Sequence, residues 1–177
     1  MGYNLSTLRN LPKHFDYYFF LIGDYRINST INDFFRKEFD IIASRLGENL
    51  CIVQQTRKSK IDEELAVEIS KHHFINITDF LDSLSCQYPG LLILNKHPDN
   101  LTKDDMVIHI PFLTLDSIYS KNEELITDLI EFTKGDQQLI EKINKWIEHT
   151  NKKIITEFTI GINVGIFSIN FKTNKPR

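Results

Sequence analysis

Tyr17-Tyr18-Phe19-Phe20-Leu21-Ile22 is an unbroken aromatic and aliphatic run, closed by Gly23-Asp24. A strand with one wet face alternates apolar and polar residues, and this run does not. It therefore reads as a strand buried on both faces, central in a sheet that carries helices on each side. Downstream, Ser29-Thr30 with Asp33 behind them forms a cap-like helix start. Ile31, Phe34, Phe35, Phe39, Ile42 and Leu46 then recur at helical spacing until Gly47 supplies a stop. Leu50-Cys51-Ile52-Val53 is a second short buried strand. Strand, helix and strand in succession demand a parallel crossover.

The rest of the chain adds antiparallel pairing. Asp62 reads as the cap of a helix reaching about His73, with Leu65, Ala66 and Ile69 as its apolar stripe. Thr78-Asp79 opens a short helix carrying Phe80, Leu81 and Leu84. Tyr88-Pro89-Gly90 is a turn feeding the strand Leu91 to Leu94, and a polar loop leads to a strand over Met106 to Ile110. That loop holds no helical pattern, so the two strands form a hairpin and the sheet is mixed. Asp116 or Ser117 opens a helix with Ile118, Leu125, Ile126, Leu129 and Phe132, after which the core looks complete. Lys134-Gly135-Asp136 breaks it, and a further helix uses Leu139, Ile140, Ile143, Trp146 and Ile147.

Composition narrows the function classes. With 177 residues, 41% hydrophobic, the chain buries an ample core without a metal or disulfide staple. A net charge of −3 argues against a nucleic-acid partner. Cys51 and Cys86 form no CxxC and no zinc spacing, the apolar runs are too short to span a bilayer, and Met1-Gly2-Tyr3-Asn4-Leu5 lacks the basic and apolar regions expected of a secretory leader. The expected location is cytoplasmic. His97 and His109 flank a loop holding Asp99, Asp104 and Asp105, but loop carboxylates are ordinarily solvated, and no metal is assigned.

The element order, with Tyr88-Pro89 directly before Leu91-Leu92-Ile93-Leu94, resembles the thioredoxin-like fold over roughly residues 12 to 133. The resemblance implies a cis-proline at Pro89 and a redox pair between the central strand and its helix, near Tyr25-Arg26-Ile27-Asn28-Ser29-Thr30. No cysteine stands there, so thiol–disulfide exchange lacks its thiolate. What the resemblance leaves is binding without a cofactor. The backbone of Tyr88 would pair with an extended peptide or glutathione, on a face completed by Asp24, Tyr25, Arg26, Ser29, Thr30, Cys86 and Pro89. The alternative is an α/β enzyme or small-ligand binder in which Asp24, Arg26 and the Ser29-Thr30 helix start hold a polar ligand at the strand ends.

The end of the chain has a pattern of its own. Phe158, Ile160, Ile162, Val164 and Ile166 fall on even positions, and Phe167, Ile169 and Phe171 on odd ones. A change of phase in a period-two pattern marks a bulge or a turn between two strands. The expected division is a thioredoxin-like α/β domain over 1–133 and an extension over 134–177, one helix and a β-strand or hairpin. Trp146, Phe158, Ile160, Ile162, Phe167, Ile169 and Phe171 are its candidate interface, for a protein partner or for self-association.

Overall fold

Tyr17–Ile22 (β2) occupies the middle of a five-stranded mixed sheet. The structure is a computed structural model and describes residues 1–23, 28–56, 59–73, 89–150, 156–158 and 171–173. Around β2 lie Gly2–Leu5 (β1), Leu50–Gln55 (β3), Gly90–Leu94 (β4) and Val107–Pro111 (β5), in the order β1-β3-β2-β4-β5. β1 and β2 both run parallel to β3, β4 is antiparallel to β2, and β5 is antiparallel to β4.

Both faces of the sheet are covered, which is why β2 shows no polar alternation. Phe19, Leu21, Ile52, Leu91, Ile93, Ile108 and Ile110 point to one side. There they meet Thr30–Lys37 (α1), Phe39–Arg45 (α2), Phe112–Ile118 (α4), Asn122–Thr133 (α5) and Gln138–Thr150 (α6). Tyr18, Phe20, Ile22, Cys51, Val53, Leu92, Leu94 and Val107 point to the other side. Their cover is Ile61–His73 (α3), through Ile61, Leu65, Ala66 and Ile69, with Leu8, Leu11 and Phe15 of the N-terminal segment. Among the described residues no helix is long and apolar enough to cross a membrane.

Several elements differ from the sequence reading. β1 has no periodic signal, since Gly2-Tyr3-Asn4-Leu5 is short and half polar; its ladder with β3 places it. The helix expected over 30–46 is two. Glu38 leaves the helical region (φ −110°, ψ 21°) although neither Gly nor Pro stands there, while Phe35, Phe39 and Ile42 keep one buried face across the break. Of the expected cap pair, Ser29 and not Thr30 caps α1, its Oγ accepting from the Asn32 N–H at 3.0 Å, and Thr30 is the first helical residue. Asp62 is not a cap. The helix begins at Ile61, whose N–H donates to Ser59 Oγ at 3.1 Å, and the Asp62 side chain turns toward the sheet.

Neither Asp116 nor Ser117 opens a helix. Both lie inside α4, and an extended Tyr119 (φ −109°, ψ 116°) separates α4 from α5. The buried Tyr119 hydroxyl donates to Asp128 Oδ2 at 2.7 Å, and Lys142 of α6 donates to the same oxygen at 2.7 Å and to Glu124 at 2.8 Å. Leu139, Ile140 and Ile143 of α6 enter the core beside Leu125, Leu129 and Phe132. The core therefore does not close at Phe132: the first two turns of the helix assigned to the extension belong to it. Beyond α6, Thr156–Phe158 (β6) and Phe171–Thr173 (β7) pair antiparallel as a separate two-stranded sheet, Phe158 opposite Phe171. The short helix expected after Thr78 lies outside the described residues.

Candidate functional site

The carboxyl ends of β2 and β3 meet the start of β4, the place where α/β sheets carry ligands. Gly23 follows β2 with φ +95°, a left-handed conformation that favours glycine. A Cβ there would stand 2.5 Å from Pro89 Cβ, so the chain leaves β2 directly against Pro89. Pro89 is buried, and its carbonyl accepts from the Phe112 N–H at 2.9 Å. Gly90 is crowded too, since a Cβ would lie 2.3 Å from the Ile110 carbonyl oxygen.

Asp62 reaches this corner from the first turn of α3. Its Oδ2 accepts from the Gly23 N–H at 3.4 Å, and its Oδ1 accepts from the Gln55 side-chain amide at the end of β3. Burial raises the Asp62 carboxyl above its ordinary value, the bonds from Gln55 and Gly23 pull the other way, and nearby Glu63 adds to the rise. Sequence reasoning missed this group, because an acidic residue at a helix start reads as a cap. Only the approach of α3 to β2 gives it a second partner.

The start of α1 is already furnished with acceptors. The Ile31 N–H donates to Asp116 Oδ1 of α4 at 2.9 Å, the Asn32 N–H to Ser29 Oγ at 3.0 Å, and the Asp33 N–H to the Ser29 carbonyl at 3.1 Å. An internal carboxylate thus sits where an anion was expected. Ser29 is buried in this arrangement, whereas Thr30 is exposed. Asn32 is buried beside them, its Oδ1 accepting from Arg36 Nε at 3.0 Å. Asp24, Tyr25, Arg26, Cys86 and Tyr88 lie outside the described residues, and with Tyr88 the peptide bond expected to be cis.

The other candidates separate. Cys51 is buried in β3, and burial pushes its thiol up to about 12 while the amino group of Met1 acts against that; such a thiol is no nucleophile near neutrality. His109 stands opposite Leu92 within the β4–β5 ladder, whereas His97 lies in the turn beyond β4 with its ring edge-on to Tyr18. His97 Nδ1 accepts from the Asp99 N–H at 3.2 Å, and burial lowers its basicity, Asp99 opposing. Asp105 pins the hairpin loop by accepting from the Thr102 N–H at 2.7 Å, the Thr102 hydroxyl at 2.7 Å and Lys96. Among the described residues no three His, Cys, Asp or Glu side chains gather as metal ligands. Of the expected interface, Trp146 is half-buried on α6, Phe158 and Phe171 are cross-strand partners in β6 and β7, and Ile160, Ile162, Phe167 and Ile169 lie outside the described residues.

The strand-end corner is therefore a packed junction of Gly23, Pro89, Gln55 and Asp62, with one carboxyl of raised proton affinity and no thiolate among the described residues. No protein-family model, no curated protein and no solved structure matches this chain.

Proposed function

We propose that the chain is a non-catalytic binding or assembly module of thioredoxin-like type, and that its C-terminal β segment is the working surface. The mixed sheet supports the resemblance, with its parallel half β1-β3-β2, its antiparallel half β2-β4-β5, and Pro89 packed against the turn after β2. One observation argues against thiol–disulfide exchange at the strand ends: residues 23–30 contain no cysteine. Cys51 is besides buried, with its thiol pushed up to about 12. Attention moves from the strand ends to the tail because Pro89 is buried and the α1 donors are taken by Ser29 and Asp116. Among the described residues both cores are built from side chains up to Ile143, while the tail still holds eight large apolar side chains from Phe158 to Phe171. The partner is a protein or a second copy, in a cytoplasmic setting, without nucleic acid or cofactor.

The test is the mass in solution of the full chain against a chain ending at Asn151, with circular dichroism to show that the shorter one is folded. The full chain is expected to associate and the shorter one to lose that association. Equal masses overturn the reading.

A second reading, an α/β enzyme or small-ligand binder using Asp24, Arg26 and the Ser29-Thr30 helix start, is favoured by the raised carboxyl of Asp62 at the same strand ends.

A further inference from the structure

Residues 9–15 lie on the α3 side of the sheet as a flap fastened at both ends. At one end the Thr7 hydroxyl donates to Glu64 Oε1 of α3 at 2.8 Å, and the Leu8 N–H to Glu64 Oε2 at 2.5 Å. At the other end the Asp16 N–H donates to the Asn49 carbonyl at 3.0 Å. Between these points the flap buries Leu11 and Phe15, while Arg9, Asn10, Lys13 and His14 are exposed. Two further fastenings hold its middle. The Tyr18 hydroxyl donates to the Pro12 carbonyl at 2.9 Å and accepts from the Phe15 N–H at 3.3 Å. Lys13 pairs with Asp99 Oδ2 at 2.8 Å, in the turn beyond β4.

His97 stands where these two fastenings meet. Its ring is edge-on to Tyr18 with the centroids 5.5 Å apart, and its Nδ1 is 3.7 Å from the same Asp99 oxygen that Lys13 holds. Nδ1 accepts from the Asp99 N–H, which assigns the neutral ring its hydrogen at Nε2. His97 is 2% exposed, and among the described residues its Nε2 meets no hydrogen-bond partner. A proton added at Nδ1 would turn that acceptor into a donor facing the Asp99 N–H. It would also set a second cation against the carboxylate oxygen that fastens Lys13. The charged groups around the ring are Asp99 of its own turn and Lys13 of the flap. Lys71 of α3 acts on Asp99 and is itself paired with Glu68 at 2.7 Å.

We propose that His97 is a proton-operated latch: the neutral ring holds residues 9–15 down, and its protonation in mild acid lifts them from Tyr18 and uncovers the apolar side chains of Leu11 and Phe15. Burial lowers the basicity of the ring below the ordinary value of 6.5; Asp99 opposes this, Lys13 adds to it, and the Leu11 backbone opposes it. Lifting the flap returns the ring to water and to that ordinary value. Between 6.5 and the lowered value the closed flap binds fewer protons than the open one, so stability of the closed form is complete above this window and is lost as pH falls through it. The latch lies on the α3 side of the sheet and does not depend on the reading of the tail.

The experiment is amide hydrogen exchange of the full chain by NMR from pH 7.5 to pH 5, corrected for the intrinsic effect of pH on exchange. The reporters are the Phe15 amide for the flap and the Ile52 amide, within the β1–β3 ladder, for the core. Below pH 6.5 the protection of Phe15 is expected to fall by up to about tenfold per pH unit, while Ile52 keeps its own. His97→Gln is expected to remove this fall, and His14→Gln, a change at an exposed flap histidine, to leave it in place. Loss of protection at Phe15 and Ile52 together overturns the latch, as does an unchanged fall in His97→Gln or its disappearance in His14→Gln. If His97→Gln does not fold, the titration of the His97 ring in the wild type decides: a midpoint below 6.5 upholds the latch, and one at or above 6.5 overturns it.

Discussion

Asp62 is a carboxylate that the fold makes costly to ionise. Burial favours its neutral form, and the bonds from Gln55 and Gly23 compensate only in part. Between the ordinary value of 3.8 and the raised value, the folded state holds more protons than the unfolded state. Stability therefore falls as pH rises through that window and levels off above it. Asp62→Asn keeps an acceptor and removes the ionisation. Urea midpoints measured from pH 4 to pH 8 are expected to lose this decline in the variant. A decline of unchanged slope in Asp62→Asn would place its source elsewhere. Its proton affinity follows from where α3 begins.

The helices of the α4–α5–α6 side are joined by one polar cluster. Asp128 is buried, and it is tolerated there because Tyr119 and Lys142 both donate to it. Lys142 also lies 5.3 Å from the centre of the Tyr119 ring. Its side chain is about a third exposed, so the pair is worth less than a fully buried one. Lys142→Ala leaves Asp128 with the tyrosine alone and is expected to cost about 1–2 kcal/mol in urea unfolding, against almost nothing for the exposed Lys145→Ala. Equal effects of the two substitutions would mean that the cluster does not hold α6. The break at Tyr119 belongs to the same account. The sequence pattern shows one continuous apolar stripe from Ile118 to Phe132, and it has no way to indicate that Tyr119 turns inward toward an aspartate nine residues later.

For the whole molecule, α6 decides where the fold ends. Leu139, Ile140 and Ile143 are at most 7% exposed, and burying such side chains is worth about 1.5–3 kcal/mol each. Their sum rivals the net stability of an ordinary domain, roughly 5–15 kcal/mol. A chain ending at Thr133 is therefore expected to unfold without cooperativity and to bind a hydrophobic dye, whereas one ending at Asn151 keeps a sharp transition. A cooperative transition in the shorter chain would restore the boundary near residue 133. The sequence alone left open what the stripe of this helix covers, because periodicity reports that a helix has an apolar face and not what that face touches.

The letters Tyr17 to Ile22 were enough to imply a central strand with cover on both sides, since only double burial removes polar alternation. Ser29 as a cap, the β4–β5 hairpin and the mixed sheet were legible for the same reason: each is set by local chemistry or by the length and pattern of one connection. The missing cysteine between residues 23 and 30 was legible outright. Four things needed the tertiary structure: β1 as an edge strand, Asp116 accepting from the first turn of a helix remote in sequence, Asp62 against Gly23, and α6 as part of the core. Each is a contact between segments far apart along the chain. Such contacts are decided by which surfaces remain to be covered once the sheet has formed, and no short stretch of sequence carries that information.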